Sequence, residues 1–114
     1  MLGRFFRLQK QFQREVTGVE VGDSVQWSSY HVLGLVEEVG ELLKADKRWK
    51  THRNKFHDEK NKLEELADCF ITLMNVALWS GVSTDDFCIA VENKIRSNFE
   101  KLREERSQND DGES

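Results

Sequence analysis

Four carboxylates fall at a spacing that can hold a cation. Glu38 and Glu41 are three residues apart, and so are Glu65 and Asp68. Residues three or four apart share one face of a helix. Glu38 stands in step with Leu35 and Leu42, and Asp68 lies inside an otherwise nearly apolar run from Leu66 to Met74. Each pair therefore borders a surface that should face other helices. Burying several carboxylates together costs hydration and sets like charges against one another. Three things can compensate: a lysine or arginine partner, shared protons, or a metal ion. Clustered carboxylates without an adjacent histidine favour a hard cation with oxygen ligands, Mg²⁺ or Mn²⁺. His52 and His57 lie in a basic segment and not three residues from either pair. That is not the Glu-x-x-His pattern of a di-iron bundle. One acid pair at this spacing is ordinary helix surface. Two pairs set in apolar sequence are not.

The elements that must carry these acids read as helices. Phe5, Leu8, Phe12 and Val16 have helical spacing and predict a first amphipathic helix over residues 2–17, ended by the linker between Gly18 and Gly22. A second helix is predicted from about residues 24–28 to Lys47, packing through Val32, Leu35, Val36, Val39, Leu42 and Leu43. Residues 47–57 form a basic connector. Asp58 is the predicted N-cap of a third helix, which carries Leu63, Leu66, Phe70, Leu73, Met74, Ala77 and Leu78 and stops at Gly81. Ser83-Thr84-Asp85-Asp86 resembles a capping box and opens a fourth helix through Phe87, Ala90, Val91, Ile95, Phe99 and Leu102. Short connections between four helices predict an all-α antiparallel bundle, with the first helix free to lie across the others. We expect a single domain over residues 1–106 and a polar tail without fixed structure over residues 107–114.

Composition narrows the function classes. The chain has 114 residues and a net charge of −4, with 33% of residues charged. That is not the basic profile of a nucleic-acid polymer binder. Cys69 and Cys88 form no CxxC or Cys/His zinc spacing and read as reduced core cysteines. No apolar run approaches the roughly 18 residues a membrane span needs. The N-terminus lacks the apolar stretch and cleavage site of a signal peptide, so a cytoplasmic location without membrane attachment is expected.

Glu37-Glu38-Val39-Gly40-Glu41 followed by Glu65-Leu66-Ala67-Asp68 resembles the EExxE…ExxD signature of the all-α nucleoside triphosphate pyrophosphatases. This is the MazG-like superfamily, with dimeric dUTPases and dCTP pyrophosphatases as relatives. The resemblance spans about residues 25–102. It implies a MazG-type helical fold, Mg²⁺ (or Mn²⁺) held by Glu38, Glu41, Glu65 and Asp68, and hydrolysis of an NTP between its α- and β-phosphates. Glu37 matches the first acid of the signature and, with Glu38, is the candidate for activating water. Lys94, Asn98 and Lys101 are similar to the basic and amide pattern of the family's fourth helix and become candidate substrate contacts. Relatives often carry arginine where this chain has Lys101. The resemblance also implies a homodimer or homotetramer, and deoxynucleotides as the preferred substrate.

A triphosphate would be repelled by bare carboxylates, and a bound divalent cation reverses that sign. Basic side chains must then meet the departing pyrophosphate. Lys94 and Asn98 are the first candidates, with Lys47, Arg48, Lys50 and Arg53 of the connector as a group. Trp27 and Trp49 lie outside the tightest apolar runs and can stack on a base, Trp49 being favoured by its basic neighbours. Trp79 and Phe70 read as core, and His31 as a structural hydrogen-bonding group. A non-catalytic helical module that binds metal or nucleotide for regulation is the alternative function.

Overall fold

The computed structural model describes residues 1–46 and 59–112. Four α-helices account for nearly all of them: α1 (Leu2–Thr17), α2 (Val25–Ala45), α3 (Glu59–Trp79) and α4 (Thr84–Gly112). There is no strand among the described residues, so the all-α class read from periodicity is borne out. The chain divides into two compact units, Met1–Val82 with α1 to α3 and Ser83–Ser114 with α4.

Local chemistry places the helix ends. Gly18 closes α1 in the left-handed region (φ 74°), where its N–H donates to the Arg14 carbonyl at 2.8 Å. Ser24 caps α2 from an extended backbone, its Oγ accepting from the Trp27 N–H at 3.2 Å. Gly81 follows α3 with φ 73°, and a β-carbon there would lie 3.2 Å from Asp23 Cβ. The Ser24 N–H donates to the Trp79 carbonyl at 2.8 Å, tying the start of α2 to the end of α3. In the second unit, Ser83 Oγ accepts from the Asp86 N–H at 3.1 Å, as its capping sequence predicts. Helix α4 then continues past Arg106 to Gly112, through the stretch whose polarity suggests an unstructured tail. No proline or glycine interrupts residues 101–111, so nothing in the backbone ends the helix sooner.

The buried faces differ from those the apolar spacing predicts. On α1, Phe5, Leu8, Phe12 and Val16 are 42–64% exposed, while Phe6 and Gln13 are buried. The reason is hydrogen bonding. Gln9 Nε2 donates to Asn75 Oδ1 at 2.9 Å, and Trp79 Nε1 donates to Gln13 Oε1 at 3.0 Å. Both bonds span 66 residues, so α1 runs in the same direction as α3. The stripe Phe6, Gln9, Gln13 wins the inward face because its amides satisfy buried groups that a phenylalanine stripe would leave unpaired.

Helices α2 and α3 pack antiparallel along one seam. Trp27 stacks on Trp79 with ring centroids 5.4 Å apart. Next along the seam, His31 meets Asn75, and Gly34 abuts Thr72. Glu38 then faces Glu65 and Asp68, and Asp46 meets Lys62 at the far end. Val32, Val36, Val39 and Leu43, predicted to pack, are 45–69% exposed. Met74, Ala77, Leu78 and Trp79 are buried as predicted, but Phe70 is exposed and not core. If Phe6 and not Phe5 anchors α1, Phe6→Ala should cost about 3–5 kcal/mol in urea unfolding, and Phe5→Ala distinctly less.

Candidate metal centre

Three of the four predicted ligands come together. One carboxylate oxygen from each of Glu38, Glu65 and Asp68 lies within 4.8 Å of the others. Glu38 projects from the middle of α2, and Glu65 and Asp68 lie one turn apart on α3. Antiparallel packing sets the single acid opposite the pair. The fourth, Glu41, is outside this cluster, with its Oε1 3.4 Å from Lys44 Nζ across one turn of α2. Glu41 and Lys44 are both substantially exposed, so this contact holds the Glu41 side chain only weakly.

The electrostatics of the cluster centre on Glu38. Loss of solvent raises its pKa above the ordinary carboxylate value, and repulsion from Asp68, Glu65, Glu37 and Glu41 adds to the rise. Cys69, next to Asp68 in sequence, has its thiol pushed upward by burial and then by Glu38, Glu65 and Asp68. Both Cys69 and Cys88 are free and half-buried.

The donor set fits a small hard cation. Oxygens around one Mg²⁺ lie about 3.0 Å apart when adjacent and about 4.2 Å apart when opposed, given bond lengths near 2.1 Å. The three carboxylate oxygens, within 4.8 Å of one another, are on that scale. Among the described residues, neither a histidine nor the Cys69 thiol joins the carboxylates in this cluster, which disfavours a soft or imidazole-preferring metal.

The remaining candidates are placed less closely. Lys94, Asn98 and Lys101 are exposed on α4, at positions i, i+4 and i+7 of one face. Asn98 borders a shallow hollow of about 190 Å³ with Ile95, Phe99 and Leu102. Glu37 is exposed beside Glu38. Trp49, Lys50 and Arg53, with Lys47, Arg48, His52, His57 and Asp58, lie outside the described residues. Trp27, a candidate base platform, is instead committed to packing, with its ring stacked on Trp79 and on His31.

Two features escaped the spacing analysis. The first is a buried polar layer about two helical turns from the acids on the same seam. His31 and Asn75 are each seven residues from Glu38 and Asp68. Gln9 fixes the Asn75 amide, whose Nδ2 then sits 3.5 Å from His31 Nδ1. His31 Nδ1 accepts in that arrangement, so Nε2 carries the proton, and Nε2 is buried without a partner among the described residues. Asn75 interrupts an apolar run just as Asp68 does, and that signal could have found it. The second is an apolar groove of about 480 Å³ between α1 and α3, walled by Phe5, Leu8, Phe12, Phe70, Ile71 and Met74, with Gln9 and Ala67 beside them. Ala67 directly precedes Asp68.

The chain matches the family model described as dUTPase over residues 1–109, and it belongs to that family. Membership makes it a nucleotide-hydrolysing enzyme with a nucleoside triphosphate as substrate. No curated protein and no solved structure gives a significant match.

Burial lowers the His31 pKa. In the unfolded chain the imidazole takes its proton near its ordinary value, while the folded chain resists it. Stability in urea is therefore expected to fall as pH drops from about 7.5 to about 5.5, and His31→Gln should flatten that slope.

Proposed function

We propose that this chain is a Mg²⁺-dependent pyrophosphohydrolase that cleaves dUTP between its α- and β-phosphates, releasing dUMP and pyrophosphate. The observation that carries the reading is the convergence of Glu38, Glu65 and Asp68 from two helices in a chain of the dUTPase family. When bound, Mg²⁺ would neutralise the facing phosphate oxygens and lower the pKa of a coordinated water. Glu38, Glu65 and Asp68 would hold that charge in place. Glu41, which contacts Lys44, would leave it to join them. Glu37, exposed beside Glu38 in sequence, would take the proton from the attacking water. The water oxygen bonds to phosphorus in line with the departing bridge oxygen, which leaves with pyrophosphate. Lys94, Asn98 and Lys101, similar to the family's fourth-helix pattern, are the proposed phosphate contacts, with Lys50 and Arg53 as further candidates.

The groove beside Ala67 is the proposed seat of the nucleoside. Its volume of about 480 Å³ is in the usual range for small-molecule sites, and so is its pattern of apolar walls with a single amide at one edge. Phe70 offers an exposed ring there. The apolar side chains left exposed on α1, α2 and α3 support assembly into a homodimer or a larger homo-oligomer, since such surface is uncommon on a monomer. No helix among the described residues is long and apolar enough by itself to cross a membrane, and we propose a cytoplasmic site of action.

Purified protein with Mg²⁺ should convert dUTP to dUMP and pyrophosphate, resolved by chromatography, in preference to the other common dNTPs and NTPs. Glu38→Gln and Asp68→Asn should each lower kcat by at least about a hundredfold. Removing one charge from a mutually repelling set should leave the unfolding midpoint in chelator no lower than that of the parent. Nucleotide binding without turnover of dUTP or of any other common dNTP or NTP would favour the regulatory-module alternative. Phe70→Ala should raise KM for dUTP more than it lowers kcat, because it removes binding surface distant from the reacting phosphorus.

A further inference from the structure

Lys62 Nζ and Asp46 Oδ2 form an ion pair 3.2 Å long, with side chains only 21% and 23% exposed. The Arg14–Glu20, Glu41–Lys44 and Glu92–Arg96 pairs are far more open. Its place in the fold is specific. Asp46 caps α2, its N–H donating to the Leu42 carbonyl at 2.9 Å. Lys62 lies one turn before Glu65 on α3. The pair therefore closes the seam where the chain leaves for residues 47–58 and where it returns.

The carboxylate cluster lies between this pair and the aromatic end of the seam. On one side, Trp27 stacks on Trp79 and the Ser24 N–H bonds the Trp79 carbonyl. On the other side stands Asp46–Lys62. Between them, Glu38 on α2 repels Glu65 and Asp68 on α3, a force directed to part the two helices. An apolar contact would hold helix ends together at least as well as a half-buried ion pair, which is costly to desolvate. Unlike an apolar contact, however, a lysine opposite an aspartate has a preferred separation and direction.

We propose that Asp46 and Lys62 are positioning residues, a charged clamp that holds α2 and α3 at cation-binding distance against the repulsion of Glu38, Glu65 and Asp68. This rests on the metal-centre reading above. The clamp keeps the three carboxylates convergent before any cation arrives, so the cation does not have to draw the helices together. Without it, the acid end of the seam opens and cation affinity falls. A lysine acting only through its charge would do the opposite, because removing a positive group one turn from Glu65 would strengthen cation binding.

The test is direct binding of Mn²⁺ alone, without nucleotide, followed by electron paramagnetic resonance and paired with thermal unfolding in chelator. Lys62→Met is expected to weaken Mn²⁺ binding by about threefold to tenfold and to lower the chelator melting point more than the Mn²⁺-saturated one. Lys62→Gln serves in its place if the apolar variant loses helix content by circular dichroism. Lys62→Arg and the exchanged pair Asp46→Lys with Lys62→Asp should recover binding to within about twofold of the parent. At saturating Mg²⁺ with dUTP, kcat of Lys62→Met should stay near the parent value. Unchanged or tighter Mn²⁺ binding in Lys62→Met, or an exchanged pair no better than the single variant, overturns the clamp. Parent protein that binds no Mn²⁺, or binds it equally well as Glu38→Gln, overturns the metal centre itself.

Discussion

Glu38, Glu65 and Asp68 repel one another across the α2–α3 seam, and the remainder of the Met1–Val82 unit is arranged around that repulsion. Two helices with like charges on their facing sides do not stay together through those charges. They need anchors elsewhere. The stack of Trp27 on Trp79 supplies one, reinforced by the backbone bond from Ser24 and by Gly81, whose missing side chain lets Asp23 approach. Gly34 beside Thr72 keeps the backbones close in between. Helix α1 braces the same region through Gln9 and Gln13, bonding to Asn75 and Trp79 of α3. The rigid end of the seam is thus the end away from the acids.

This arrangement reverses the usual distribution of side chains. The α2–α3 seam is occupied by histidine, asparagine, glutamate and aspartate, while Val32, Val36, Val39, Leu43 and Phe70 look outward. A seam lined by leucine and valine would have been more stable. It would also have been unable to bring three carboxylates within 4.8 Å of one another. Of the outward-looking side chains, Phe70 lines the groove between α1 and α3, which adjoins the acids through Ala67. A polar seam and an apolar groove beside it are both consequences of which helix faces are buried.

Much of this was legible in the sequence, and the exceptions have a common cause. Helix extents followed from periodicity and from Gly18, Ser24, Gly81 and Ser83, because caps and stops act through local backbone chemistry. The acid pairs followed from their spacing within apolar runs. The buried faces did not. Apolar periodicity nominated Phe5, Leu8, Phe12 and Val16, and it could not weigh that stripe against Phe6, Gln9 and Gln13, whose burial depends on acceptors and donors 66 residues away. The packing of Trp27 depends in the same way on a distant partner, since Trp79 lies at the far end of α3. Glu41 keeps the right spacing yet turns to Lys44, a rotamer choice that spacing does not reach. The extension of α4 past Arg106 shows that polarity alone does not end a helix.

Of the three ways to compensate the acids, two weaken on the geometry. None of Glu38, Glu65 and Asp68 has a lysine or arginine partner among the described residues, and the nearest ion pairs belong to Glu41 and Asp46. A shared proton is the second. The raised pKa of Glu38 shows where it would go. Yet a proton on Glu38 leaves Glu65 and Asp68 charged, one turn apart on the same helix, and gives their remaining lone pairs at most a single donor. A divalent cation neutralises two charges and accepts oxygens from all three residues at once. The desolvation and crowding that raise the Glu38 pKa are therefore the properties that suit the site to a cation.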